Sequence, residues 1–202
     1  MKKLFKRLLA VLLVAVVVFG IVAMPYIKEG YAMYKQAVTD IPIEQKVDQI
    51  RSQDAYTPFE DISPVFIDTL LQSEDRRFYQ HFAIDPISLV RAVGANIFHG
   101  RLVQGGSTIT QQLAKNMYFS FDKQLERKVA ELFVAFKLES MYTKDEILAL
   151  YCSLAYFGQN CYGVKEAAGY YYSTEPLLLD KQQSAELVRA LKAPSVYNPS
   201  TM

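Results

Sequence analysis

Residues 8–27 form a run of twenty positions without an ionisable side chain. Such a run matches a membrane crossing, because a hydrocarbon core of about 30 Å needs about 20 apolar residues at 1.5 Å each. Four of the first seven residues are lysine or arginine. A cleaved signal peptide also starts with basic residues, but its apolar stretch is usually about 7–15 residues long, and the small-residue cleavage pattern is poor near Ala23. We therefore expect an uncleaved anchor, with residues 1–7 in the cytoplasm and the chain after about residue 28 outside.

The rest of the chain carries no excess of positive charge. Lysine and arginine total 22 and aspartate and glutamate total 21, and four of the basic residues lie in the first seven positions. The remainder is therefore net acidic. Because binding along a nucleic-acid backbone needs a broad excess of positive charge, we exclude a general nucleic-acid binder. Any anionic ligand of this chain must be met by a local cluster of basic residues.

The region after the uncharged run is predicted to be one mostly helical domain. It has no internal repeat and no linker rich in Pro, Gly or Ser, and alternation with a period of two is scarce. We expect a juxtamembrane segment over 28–54 and the domain over 55–202. Helices are predicted from Pro64 towards His81, from Pro86 towards His99, from a Thr108–Gln111 capping box through Asn116, from Leu125 to Tyr142, from Lys144 to Phe157, from Gly163 to Tyr172 and from Asp180 to Lys192.

The two cysteines give little information. Cys152 is predicted inside a helix and Cys161 in the loop after it, with no further sulfur and no nearby histidine to form a metal site. We favour two unpaired thiols. A disulfide is the alternative, because a compartment outside the cytoplasm permits one.

Glu74 lies in an unusual position on the helix predicted from Pro64. Steps of three and four residues place it on a face whose other members are Ile67, Leu71, Phe78 and His81. A carboxylate in an apolar stripe is costly unless it is paired. One interpretation is that Glu74 pairs with Arg76 or Arg77. The other is that partial desolvation makes this carboxylate a stronger general base.

Residues 105–112, GGSTITQQ, predict a tight turn that opens a helix. Free backbone N–H groups and the positive end of the helix dipole suit a phosphate, although any well-capped helix after a Gly-Gly turn has the same pattern. Four cations follow within fourteen residues, namely Lys115, Lys123, Arg127 and Lys128. Together they suit a pyrophosphate. Taken singly, each could be a solvated surface charge, and Arg127 with Glu131 could be an ordinary helix ion pair.

Four short motifs follow one another in order over about 80 residues. They are Glu74-Asp75-x-x-Phe78-x-x-His81, GGSTITQQLAKN at 105–116, Arg127-Lys128-x-x-Glu131, and Lys144-x-x-Ile147-Leu148-x-x-Tyr151. This set resembles the family 51 glycosyltransferases, the peptidoglycan polymerases that occur fused to penicillin-binding transpeptidase domains or as monofunctional enzymes with one membrane anchor. The resemblance covers about residues 55–199. With no transpeptidase domain in the chain, it is to the monofunctional type.

The resemblance implies a lysozyme-like helical domain with two lobes, a long cleft between them, and a smaller lobe that dips into the membrane. Glu74 matches the catalytic glutamate and Glu131 the second glutamate of the family. Lys115 and Lys123 match positions that hold the donor's diphosphate. Other matches are the cleft positions Ser107, Gln111, Gln112, Asn116, Arg127 and Lys128, and the first-motif positions Asp75, Phe78 and His81. Departures from the family pattern are Ala83 for glycine, Lys123 for the commoner arginine and Ser153 for asparagine.

The implied reaction joins lipid-linked disaccharide units. The sugar 4-hydroxyl of one lipid II molecule attacks the anomeric carbon of a growing chain whose leaving group is a polyprenyl diphosphate, and inversion gives a β-1,4 linkage. The implied partners are lipid II, the growing glycan strand and membrane lipid, with other cell-wall synthases as further candidates and no nucleic acid. The sequence requires no cofactor and contains no dedicated metal cage, so a divalent cation, Mg²⁺ or Mn²⁺, is an optional aid at the diphosphate. The implied location is the bacterial inner membrane, with one crossing and the domain outside.

Two other functions are weighed against polymerisation. A lysozyme-like lytic enzyme would share the fold and one essential glutamate, but it would not need the cluster of Lys115, Lys123 and Arg127. A catalytically inactive scaffold that binds the cell wall is suggested by the departures at Ala83 and Ser153. Retention of both glutamates and of the diphosphate lysines argues against it.

Overall fold

A computed structural model describes residues 2–101, 105–119 and 125–201. Within these ranges the chain is mostly helical, which confirms the predicted class, and extended pairing is limited to an isolated antiparallel bridge between Tyr156 and Tyr162. The α-helices of the described ranges are α1 Lys2–Asp40, α2 Ile43–Arg51, α3 Pro64–Glu74, α4 Pro86–His99, α5 Ile109–Tyr118, α6 Leu125–Met141, α7 Lys144–Leu154, α8 Val164–Tyr172 and α9 Lys181–Lys192.

Helices α4 to α9 begin where their capping residues predict and end within one turn of the expected position. The prediction that the helix from Pro64 runs towards His81 is wrong, because α3 ends at Glu74. Asp75 has φ −155° and ψ 73°, which breaks the helix, and its carboxylate binds His81 and the backbone N–H of Ile109. The chain therefore turns away from the helix axis, and Phe78 and His81 do not continue the face that carries Glu74.

Helix α1 continues well past the uncharged run, and its second half packs on α6. Tyr31 and Tyr34 contact the ring of Phe133, with ring centroids 5.1 and 5.5 Å apart. Gly30 is buried at the crossing, where a Cβ atom would lie 2.5 Å from Val129. Only glycine allows so close an approach of the two helices. In the described ranges, no helix combines the length and apolar character needed to cross a membrane.

Helix α7 lies at the centre of the domain. Its residues from Ile147 to Ser153 are all buried, and it contacts α2, α5, α6 and α8, while α3 packs on α9. Helix α2 lies in the segment expected to be juxtamembrane, and it contributes Ile43, Val47 and Ile50 to the core. The folded core therefore includes residues that precede position 55.

Both cysteines are free thiols inside this core. Cys152 lies on α7 and Cys161 in the loop between α7 and α8, and both are buried. Burial raises the pKa of both thiols, so they stay protonated and weakly nucleophilic.

Candidate active site

A cleft of about 790 Å³ opens beside the C-terminal end of α3. Its walls come from α3, from the turn before α5, and from the sides of α5 and α6 that face this space. The residues singled out in the sequence that line it are Glu74, Asp75, Ser107, Gln112, Lys115, Arg127, Lys128 and Glu131. One open space therefore brings together a carboxylate at a helix end and a group of cations.

Glu74 is half-buried and is held by two hydrogen bonds. Its Oε2 accepts a hydrogen bond of 3.2 Å from Nε2 of Gln112, and its Oε1 accepts one of 3.2 Å from the hydroxyl of Ser73. Among the described residues no ion pair joins Glu74 to Arg76 or Arg77, since Arg77 binds Asp85 instead, through two bonds of 2.9 Å. The pairing interpretation is thus replaced by a carboxylate that faces the cleft with amide and hydroxyl partners.

Asp75 joins the end of α3 to the start of α5. Its Oδ1 binds Nε2 of His81 at 2.8 Å, and its Oδ2 accepts a hydrogen bond of 3.0 Å from the backbone N–H of Ile109. Burial of His81 lowers the pKa of this imidazole, but the bonds to Asp75 and to the carbonyl of Phe82 outweigh it, and the net shift is upward. Asp75 therefore fixes the distance between the segments that carry Glu74 and Gln112.

Asp75, His81 and Asp85 form a group whose potential metal-ligand atoms lie within 4.8 Å of one another. The group is already saturated by protein donors. Asp85 accepts hydrogen bonds from Arg77 and from the backbone N–H groups that begin α4, and the Arg77 guanidinium holds the pKa of Asp85 well below its usual value. A guanidinium beside the carboxylates also repels a cation. These residues do not suit a divalent ion, and we assign them to structure.

The N-terminus of α5 is capped by protein groups. Thr108 and Gln111 form the predicted capping box, with bonds of 2.9 and 3.2 Å, and the N–H of Ile109 binds Asp75. Most of the N–H groups expected to be open to phosphate are therefore occupied. Gln111 is buried in its cap and Asn116 lies on another side of α5, so neither predicted residue is among those that line the cleft.

Three cations surround one buried carboxylate on the α5 and α6 side of the cleft. Glu131 has no exposed side-chain surface, and it binds Nζ of Lys128 at 2.6 Å and Nε of Arg127 at 3.4 Å. Burial lowers the pKa of Lys115; Glu131 opposes this shift, whereas Lys128 and Arg127 add to it. One carboxylate cannot neutralise three cations, so this side of the cleft is net positive. Lys123 lies outside the described residues.

Comparison with known proteins follows from this geometry. Residues 43–202 match the family model for transglycosylases. The chain belongs to the transglycosylase family. This transglycosylase is 42% identical to penicillin-binding protein 1A of Aquifex aeolicus (strain VF5) over 144 residues, which is 71% of the chain and 20% of that protein.

Two further relatives give the same result. Penicillin-binding protein 1A of Escherichia coli (strain K12) is 41% identical over 138 residues, or 68% of the chain and 16% of that protein. Penicillin-binding protein 1F of Bacillus subtilis (strain 168) is 46% identical over 126 residues, or 62% of the chain and 18% of that protein. The alignments thus span a fifth or less of the length of these curated relatives.

Two of the departures from the family pattern lie in well-packed positions of the transglycosylase. Ala83 is fully buried, and its carbonyl accepts a hydrogen bond of 2.8 Å from the hydroxyl of Thr108. Ser153 is buried on α7, where its hydroxyl donates to the carbonyl of Ala149 and accepts from the N–H of Thr57. Neither residue lines the cleft.

Sequence reasoning missed other residues of the cleft. Arg76, Arg91 and Lys192 line it from three separate segments, and no local pattern indicates that they converge. It also missed the role of Tyr151 behind the cleft, whose hydroxyl binds Gln112 at 3.1 Å. The fourth motif contains this tyrosine, so its position in that motif was the available signal.

Proposed function

We propose that the transglycosylase polymerises lipid II into β-1,4-linked glycan strands with release of polyprenyl diphosphate. The observation that carries this proposal is the cleft in which Glu74 faces the same space as Lys115, Arg127 and Lys128. A general base and a separate cationic surface are the two elements that an inverting transfer from a diphosphate donor requires. Family membership and the relatives named as penicillin-binding proteins support the same reaction.

In the proposed mechanism Glu74 acts on the attacking sugar. Its carboxylate accepts the proton of the 4-hydroxyl while the oxygen forms a bond to the anomeric carbon of the donor. The bond from that carbon to the diphosphate breaks on the opposite face, so the α-linked donor gives a β linkage. A base in this position contributes about 10²–10⁴-fold to the rate.

The cations act on the leaving group. Negative charge builds on the bridging oxygen of the diphosphate as its bond to carbon breaks, and Lys115, Arg127 and Lys128 stabilise that charge. We assign Lys123 to the same role from the sequence alone. Glu131 is fully buried beneath these side chains, so we propose that it holds the cations in position and does not transfer a proton.

We further propose that residues 8–27 anchor the chain in the bacterial inner membrane, with the domain outside and of lysozyme-like two-lobed form. The support is the uncharged run in the sequence together with an apolar face on α4. Val90, Ile97 and Phe98 are largely exposed on that helix, which suits contact with lipid near the cleft. The growing glycan strand, membrane lipid and other cell-wall synthases are the partners that this location offers.

Side-chain cations supply the charge that a diphosphate needs in this proposal, so no cofactor is required. The described cleft offers Glu74 as an accessible carboxylate, while both oxygens of Glu131 face cations. Mg²⁺ or Mn²⁺ would therefore be held chiefly by oxygens of the substrate's diphosphate, where it would supply additional charge neutralisation. Activity that persists in EDTA supports this assignment, and complete loss in EDTA with recovery in Mg²⁺ contradicts it.

The deciding experiment supplies purified protein with lipid-linked disaccharide pentapeptide and looks for polymer that lysozyme digests. Glu74→Gln should abolish the polymer and keep the melting temperature, because glutamine preserves volume and hydrogen bonding. Glu60→Gln, at an exposed glutamate, is the matched control. Activity of Glu74→Gln above about a tenth of wild type would contradict a base worth at least about 10²-fold. Shortening of preformed glycan would indicate a lytic enzyme, and binding to glycan without turnover would indicate a scaffold.

A further inference from the structure

A chain of two hydrogen bonds connects the core of the domain to Glu74. Tyr151 lies on α7 and is 2% exposed, and its hydroxyl donates to Oε1 of Gln112 at 3.1 Å. Nε2 of Gln112 donates to Oε2 of Glu74 at 3.2 Å. The carboxylate at the cleft is therefore linked, through one amide, to a helix that is buried along most of its length.

The direction of this chain is set by the chemistry of its ends. An ionised carboxylate accepts hydrogen bonds only, so the amide of Gln112 must turn its N–H group towards Glu74. The amide oxygen then faces the core and needs a donor there. The hydroxyl of Tyr151 is that donor, and burial, with the charge of Glu74 nearby, raises its pKa well above 10, so the proton stays in place.

The second hydrogen bond to Glu74 is a weaker support. Ser73 is exposed and adjacent in sequence, so its hydroxyl can turn to water at little cost. Gln112 is half-buried on α5 and has its oxygen fixed by a side chain of the core. The rigid support for the carboxylate therefore comes through Gln112.

We propose that Tyr151 is a positioning residue for Glu74 and that it acts through the amide of Gln112. The inference rests on the proposed function of Glu74 as the base. Without the hydroxyl, the amide oxygen of Gln112 faces an apolar ring, and it regains a partner only by turning towards the cleft. That rotation removes the N–H donor from Glu74, so the carboxylate loses its orientation towards the attacking hydroxyl.

The test is Tyr151→Phe, which removes one oxygen and keeps the ring. Loss of a hydrogen bond that orients the base should lower kcat about tenfold and leave KM for lipid II within about twofold. Gln112→Leu should lower kcat at least as much. In the Gln112→Leu background, Tyr151→Phe should cause no further loss, because the amide through which it acts is absent.

Tyr172→Phe is the matched control. Its hydroxyl binds Glu186 at 2.7 Å between α8 and α9, so the variant loses a comparable hydrogen bond at residues that do not line the cleft. It should keep the wild-type kcat, whatever happens to its melting temperature. An equal fall in kcat for this control would show that loosening the fold, and not orienting Glu74, explains the effect of Tyr151→Phe.

The outcomes separate this inference from the proposed function. If Glu74→Gln abolishes polymerisation while Tyr151→Phe keeps the wild-type kcat, the positioning role is wrong and the base survives. If Glu74→Gln stays active, the proposed base fails and the positioning role fails with it. A rise in KM with unchanged kcat, or an undiminished effect of Tyr151→Phe in the Gln112→Leu background, overturns the positioning role alone.

Discussion

Glu131 balances the positive charge beside the cleft, and replacing it with glutamine should destabilise the domain by about 3 kcal/mol. Its side chain has no exposed surface and contacts Lys128 at 2.6 Å and Arg127 at 3.4 Å. Removing one partner of a buried ion pair costs about 3–5 kcal/mol, because the other charge stays buried without compensation. The Lys128 side chain is 43% exposed and keeps part of its hydration, which places the expected cost at the lower end of that range.

Thermal unfolding followed by circular dichroism measures this loss. For a domain of this size, 1 kcal/mol shifts the melting temperature by about 2–4 °C, so Glu131→Gln should lower it by about 6–12 °C. Glu60→Gln, at an exposed glutamate, should change it little. Polymerisation by Glu131→Gln should fall as well, since the cations lose the group that holds them.

A second substitution tests the reason for the effect. Adding Lys128→Gln to Glu131→Gln removes one of the uncompensated cations, so the double variant should recover part of the lost stability. A single variant that melts within about 2 °C of wild type would refute the charge-balance argument. A double variant no more stable than the single would refute it too, because the loss would then come from packing and not from charge.

Further predictions concern other contacts. Lys115→Ala should lower turnover about 10²-fold with little change in melting temperature, whereas Lys137→Ala, at an exposed position of α6, should leave turnover unchanged. Because the pKa of His81 is raised in the folded protein, its stabilising contribution is complete below its ordinary pKa of 6.5 and is lost as pH rises through the raised value. Urea unfolding should therefore show His81→Gln to be more destabilising at about pH 5 than at about pH 9. Gly30→Ala should lower the melting temperature because its Cβ meets α6 at 2.5 Å, whereas Gly20→Ala has nothing within 4 Å and should not.

The helices that sequence predicts well are those with local signals. Thr108, Thr143 and Asp180 each form a capping box with the third helical residue after them, and these contacts depend only on neighbours along the chain. The end of α3 has no such signal, because Asp75 is held by His81 and by the backbone of Ile109, which are brought there by tertiary packing. The nine-residue helix α2 was missed although its apolar residues recur at helical spacing.

The candidate site divides in the same way. The order of the motifs predicts that Glu74 and the cations share a cleft, because each motif carries its functional residue type. It does not predict which groups hold them, since those partners are chosen by how helices pack. Glu131 lies under the cations with no exposed surface, and Tyr151 lies behind Gln112 in the core. Both are recognisable only when burial and hydrogen-bond partners are known.

The base and the cations are therefore supported by different parts of the fold. Glu74 is tied through Gln112 to α7, whereas Arg127 and Lys128 are tied to Glu131 within α6. Loss of either support should leave the other in place, because the two supports share no hydrogen bond. The effects of Tyr151→Phe and Glu131→Gln on the free energy of activation should then add in the double variant, within about 0.5 kcal/mol. A combined effect much smaller than the sum would show that the two sides of the cleft depend on one common support.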